Sequence, residues 1–204
     1  MGRTSDAKER LLEAALDLIW KRSYGALTID AICEQAGVKK GSFYYFFESK
    51  AVLAAAALHE SWYSCGKEYW DEIFSASTPP LERIEHFMKS VYDGQVKVLA
   101  EHGQVLGCPC FSVGSETTNE DEVVREKAKE ILGRQLRYFE SAIRDAQAEN
   151  LIPEGDPAKK AKCLFAFFEG SLAQARIHND LNMLKDLPTT ALAMLKSAPA
   201  AVAG

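Results

Sequence analysis

Between Thr28 and Lys50 the chain gathers small, basic and phenolic side chains that an ordinary solvent-facing helix has no use for. Lys39, Lys40, Gly41, Ser42, Tyr44, Tyr45 and Lys50 fall within a dozen positions, and Glu48 is the one acid among them. Ammonium, hydroxyl and phenol groups hold phosphate oxygens, and a helix bearing them can lie in the major groove of a duplex. The elements that would aim these groups stand on either side. Thr28–Ala36 and Lys39–Phe47 are short apolar-periodic segments separated by Gly37-Val38. Thr28 supplies an N-cap hydroxyl, Ile29, Ile32 and Cys33 share one helical face, and Gly37 suits the left-handed backbone of a sharp reversal. Two helices joined in this way form a helix-turn-helix.

These residues resemble the DNA-binding signature of the TetR (tetracycline-repressor) family. The likeness runs from the Thr28-Ile29 start through the Ala36-Gly37-Val38 turn and the Gly41-Ser42-Phe43-Tyr44-Tyr45-Phe46-Phe47 segment to the Ser49-Lys50 entry. The upstream stretch AKERLLEAALDLIWKRSYGALT resembles that family's first helix and the loop after it. About the first quarter of the chain is covered. Lys39 departs from the pattern, standing where the family often carries a small hydroxyl N-cap. The resemblance implies that Thr28, Tyr44, Tyr45 and Lys50 hold phosphates, while Lys39, Lys40 and Ser42 reach base edges beside Gly41. Phe43, Phe46 and Phe47 would pack inward. It also implies a homodimer on double-stranded operator DNA, most often a repressor released by a small molecule bound within the larger helical part.

Composition agrees with a localised contact. The net charge is −5, yet residues 1–50 carry eight Lys/Arg against seven Asp/Glu, so the acid lies in the remainder. That balance excludes indiscriminate coating of nucleic acid. The longest wholly apolar run, Ala51–Leu58, is far short of the roughly 20 residues of a spanning helix, and the first twenty residues do not read as a signal peptide. Five scattered cysteines fit a reducing cytoplasm better than a disulfide framework. No cofactor or metal is expected, because His59, His86, His102 and His178 are widely dispersed.

The remainder reads as an all-α chain. Leu11, Leu12, Ala15, Leu16 and Ile19 mark a first helix closed at Tyr24-Gly25. A long segment runs from Ser49 to Phe74, and Ser75–Pro80 breaks it. Thr78-Pro79 starts a helix to about Ala100, and His102–Thr118 reads as irregular. Asn119 with Glu122 opens a long helix to about Asn150. Others begin at Asp156-Pro157 and near Pro188, the last ending at Lys196 before an Ala/Pro tail. The expected organisation is a helix-turn-helix, three-helix DNA-binding domain at 1–48 and a larger helical domain for ligand sensing and dimerisation at 49–204.

Within that larger part, Trp62, Phe87, Cys108, Phe111, Phe139 and Gln174 are the expected ligand contacts. An apolar pocket needs aromatic walls and a few polar groups. The segment Lys162–Ile177 is apolar around much of its circumference, and with the Thr189–Leu195 helix it predicts a four-helix interface between two copies. Phe167, Gly170, Gln174, Leu192 and Leu195 are the expected interface residues. Cys108-Pro109-Cys110 reads either as a bend with two small thiols or as a redox switch; Cys33, Cys65 and Cys163 read as small core residues. A helical enzyme is the contrasting class. Ser112, Ser115 and Glu116 are its nearest candidates, without any accompanying nucleophile, phosphate-loop or metal motif.

Overall fold

A computed structural model describes residues 2–117 and 121–197. Among these residues there are eleven α-helices and no strand. Asn119, expected to cap the long helix, and the tail beyond Ser197 lie outside them. The chain folds as two compact units, Met1–Glu68 with Cys108–Gly133 and Tyr69–Gly107 with Arg134–Gly204.

In the first unit α1 (Gly2–Lys21) packs against α2 (Ile29–Ala36), α3 (Lys40–Phe46) and α4 (Lys50–Ser61). The core they share is Leu11, Ala15, Leu18, Ile19, Ile32, Phe43, Leu53 and Leu58, all essentially closed to solvent. Each helix starts for a local reason. Thr28 Oγ1 accepts the Ala31 amide at 3.1 Å, and Ser49 Oγ accepts that of Val52 at 3.2 Å. A π-helical turn, Trp62–Gly66, links α4 to α5 (Lys67–Ile73), so the long segment expected from Ser49 to Phe74 is helical but re-registered at its middle. Such wide turns shift every later side chain around the axis.

Sequence reading left His102–Thr118 irregular, yet α7 (Pro109–Glu116) forms there and packs on α1. Pro109 occupies the first helical position, where its missing amide costs nothing. The Cys108 thiol caps the helix, accepting the Phe111 amide at 3.5 Å. A Cβ at Gly114 would stand 3.7 Å from Ala128 Cβ, so this glycine is where α7 passes closely by α8 (Glu122–Ala148).

The second unit is built from α6 (Pro80–His102), the later turns of α8, α9 (Pro157–His178), α10 (Asn182–Lys185) and α11 (Leu187–Lys196). Phe87 and Phe139 meet edge-to-face at 5.2 Å inside an aromatic core with Trp70, Phe74, Phe165 and Phe168. Arg83, itself buried, donates to Asp145 on α8 and to the Thr78 carbonyl, fixing the loop before α6. Tyr138 donates to Asp71, and burial with that carboxylate pushes its hydroxyl up to about 12.

Two assignments are corrected here. Leu195, expected at an interface between copies, is 2% exposed and enclosed by its own protomer, while Leu192 is half-buried and Met194 exposed. Cys163 is exposed on α9 and not a core residue, because the helix turns Ala161 and Leu164 inward on either side of it.

Candidate nucleic-acid interface

The reversal between α2 and α3 is tight because Gly37 sits at φ 62°, ψ 38°. Its amide reaches the Glu34 carbonyl at 3.1 Å, and the Val38 amide reaches that of Cys33 at 2.9 Å. The carbonyls at the end of α2 are thereby satisfied without another turn of helix. Lys39 then stands in extended backbone before α3 and makes no side-chain cap bond. This is the consequence of having no short hydroxyl there; the Lys39 side chain is left for other work.

The recognition segment separates cleanly into two faces. Phe43 is 0% exposed and Phe47 is buried, anchoring α3 to the core, while Phe46 is half-buried between Tyr45 and Phe47. Tyr44 and Tyr45 are 59% and 74% exposed. Their phenol hydroxyls are thereby held in solvent, where they can donate to phosphate oxygens. Thr28, Lys39, Lys40 and Gly41 are also exposed, and Ser42 and Lys50 are half-buried. All eight DNA-contact candidates belong to one unit: five on α3, with Lys39 at its N-cap, Thr28 capping α2 and Lys50 starting α4.

Two of the cations are already engaged. Lys40 Nζ lies 2.7 Å from Asp30 Oδ1 on α2, and that carboxylate raises the Lys40 ammonium above its ordinary range. Lys50 Nζ donates to the Tyr24 carbonyl at 3.3 Å and lies 4.4 Å from the centre of the Tyr24 ring. Tyr24 in turn donates its hydroxyl to Asp121 Oδ1 at 2.6 Å, and the Gly25 amide reaches Glu116 Oε2 at 3.3 Å. Sequence reading gave Asp30 and Asp121 no role, took Tyr24 only as a helix end and took Glu116 only as a candidate of the enzyme class. For Asp30 the signal was available only once the two helices had a register; for Asp121, 97 positions beyond Tyr24, there was none.

The other candidates are dispersed. Phe87 and Phe139 are in contact in the second unit, and Gln174 lies exposed on α9. Trp62, Cys108 and Phe111 belong to the first unit; Trp62 is buried, Cys108 and Phe111 are half-buried. On α9 the residues Cys163, Ala166, Gly170, Gln174 and Ile177 form an exposed stripe without a formal charge, with Ile177 71% exposed and Phe167 half-buried beside it. A groove of about 400 Å³ separates the start of α9 from the end of α11, lined by Lys159, Lys160, Cys163, Leu164 and Met194 among others. Among the described residues no group of His, Cys, Asp or Glu is arranged to hold a metal, and no helix is long and apolar enough to cross a membrane.

A family model for bacterial regulatory proteins of the tetR family matches residues 11–57, and one for the tetracyclin repressor-like C-terminal domain matches residues 80–190. The chain is 28% identical over 173 residues to the transcriptional regulator AcuR of Cereibacter sphaeroides, spanning 84% of this chain and 77% of that protein. It is 23% identical over 182 residues to the HTH-type transcriptional repressor NemR of Escherichia coli, spanning 89% of each. Among solved structures, a regulatory protein TetR from Rhodobacter sphaeroides aligns with a TM-score of 0.79 at 26% identity, over 92% of this chain and 98% of that one.

Proposed function

The chain belongs to the tetR family of bacterial regulatory proteins, and on that premise we propose a homodimeric repressor that leaves a palindromic operator when a small molecule binds. The observation that carries the DNA role is the two-faced α3: Phe43 is sealed in the core while Tyr44 and Tyr45 are held out beside Lys39, Lys40 and Lys50. In this reading Thr28, Tyr44, Tyr45 and Lys50 bind phosphates, and Lys39, Lys40 and Ser42 address base edges near Gly41. It is a binding protein and not an enzyme, working where its operator is, in the cytoplasm.

The dimer reading is supported by the charge-free stripe on α9 and by Gly170. Within the protomer nothing lies within 4 Å of a Cβ placed at Gly170. A mid-helix glycine costs about 1 kcal/mol against alanine, and the protomer itself supplies no reason for it; close approach of a second helix does. Phe167, Gln174 and Leu192 flank that line. Two-fold symmetry then sets half-sites about 34–36 Å apart, or a multiple. The effector contacts proposed in the second unit are Phe87 and Phe139, whose rings belong to its aromatic interior. An effector releases the operator only by binding better to a dimer whose recognition helices are wrongly spaced.

The test is selection of duplexes from random DNA with the wild-type protein, followed by anisotropy on the selected and a scrambled duplex. A palindromic consensus is expected. The Tyr44→Phe, Lys50→Ala double variant should bind both duplexes at least ten-fold more weakly, since phosphates carry no base identity. Unchanged affinity in that variant rules out the phosphate assignment.

A further inference from the structure

We propose that Tyr24 is the positioning residue for the Lys50 ammonium and that Asp121 holds Tyr24 in place, so that the grip of Lys50 on a DNA phosphate is set from the start of α8. This rests on the reading of Lys50 as a phosphate contact.

Four contacts within the first unit converge on the loop after α1. Lys50 Nζ donates to the Tyr24 carbonyl and lies over the Tyr24 ring at 4.4 Å. An ammonium has three donors. One is spent on the carbonyl and the ring face closes one flank, so the remaining donors are confined to the open side. Confinement matters because a free lysine gives up much rotamer entropy on binding. The ring that does the confining is 3% exposed, and its far end is pinned by the 2.6 Å bond to Asp121. Gly25 is held in parallel by Glu116, the last residue of α7.

The hydroxyl is what distinguishes this arrangement from ordinary packing. A phenylalanine would fill the same space and present the same face to Lys50. Only tyrosine ties the loop to a carboxylate 97 residues later. Burial, then the Asp121 bond and charge, raise the Tyr24 hydroxyl far above its ordinary value, so it remains a donor at any working pH. Asp121 directly precedes α8, a helix unbroken from Glu122 to Ala148 whose later turns carry Phe139. Loss of the bond leaves the ring unpinned and Lys50 without its lateral support.

The experiment measures anisotropy of a labelled duplex, recovered by selection with the wild-type protein, across a sodium chloride series. Lys50→Ala should lower the slope of log affinity against log salt by about one, the value of one phosphate contact. Tyr24→Phe and Asp121→Ala should each weaken binding about three- to ten-fold and move the slope toward that of Lys50→Ala. Asp121→Asn, which keeps an acceptor oxygen, should restore most of the affinity. Adding Asp121→Ala to Lys50→Ala should cost nothing further. A wild-type slope in Lys50→Ala overturns the phosphate reading and the proposal with it. A normal Lys50→Ala effect with silent Tyr24→Phe and Asp121→Ala, or an Asp121→Ala deficit that adds fully to that of Lys50→Ala, overturns the proposal alone. Tyr24→Phe keeps the ring volume, so it reports even if Asp121→Ala proves poorly folded by thermal melting.

Discussion

Lys40 illustrates how a residue that looks free in sequence acquires an obligation in the fold. Its ammonium is bridged to Asp30 at 2.7 Å, with both side chains largely in water. Exposed pairs of this kind are weak and screened by salt, so a base edge or phosphate can displace Asp30 at modest cost. Asp30→Asn should therefore strengthen binding to scrambled DNA two- to five-fold at low salt, and less at 0.3 M, because a repelling acid is gone; anisotropy at two salt concentrations reads this. Cys108 has a similar double life. Its thiol is a helix cap for α7, and serine is the stronger cap. Cys108→Ser should raise thermal stability slightly and, combined with Cys110→Ser, leave DNA affinity and response to mild peroxide unchanged in gel shifts. Oxidant-induced release that vanishes in the double variant would instead make the pair a redox switch.

Elements here are placed as much by their connections as by their faces. The break at Ser75–Pro80 is predictable from its prolines, but its shape is set by Arg83. That guanidinium holds the carbonyls of Ala76 and Thr78 and the carboxylate of Asp145. Removing the cation leaves two loop carbonyls and a partly buried carboxylate without their donor. Arg83→Met should destabilise the second unit by about 1–2 kcal/mol, seen as a lowered urea midpoint with little change in affinity for selected DNA. The π turn at Trp62–Gly66 is the opposite case, an irregularity with no proline or bulge-forming signal; residue composition alone gives no reason to expect it.

At the scale of the molecule, symmetry governs function. In the proposed dimer each α3 meets one half-site, and dimerisation makes the second encounter intramolecular. The α9 stripe is where the two copies are proposed to meet, and Gly170 is its closest point. Gly170→Glu puts two like charges near the two-fold axis while the protomer has room for the side chain. Sedimentation should then report monomer, with normal helicity by circular dichroism and operator affinity reduced more than a hundred-fold. A dimeric Gly170→Glu protein would move the interface elsewhere.

The sequence by itself determined the all-helical class, the helix-turn-helix and the inward–outward split of α3. Each depends on neighbours a few residues apart: the αL glycine at 37, the Thr28 and Ser49 caps, and Phe43 one position before Tyr44. Local spacing and capping chemistry are written directly in the chain. The α7 helix was also local, yet Gly103, Gly107, Pro109 and Gly114 read as interruptions, whereas Pro109 in fact opens the helix behind the Cys108 cap. Only the tertiary structure decided which cations are engaged and which apolar residues are spent inside the protomer. Leu192 and Leu195 belong to the same apolar stripe, and their different fates depend on what α11 packs against. Lys50 reads as a free cation until Tyr24 is placed beneath it and Asp121 behind Tyr24. Those contacts join residues far apart along the chain, and a distance in space between such residues leaves no periodicity for a sequence to display.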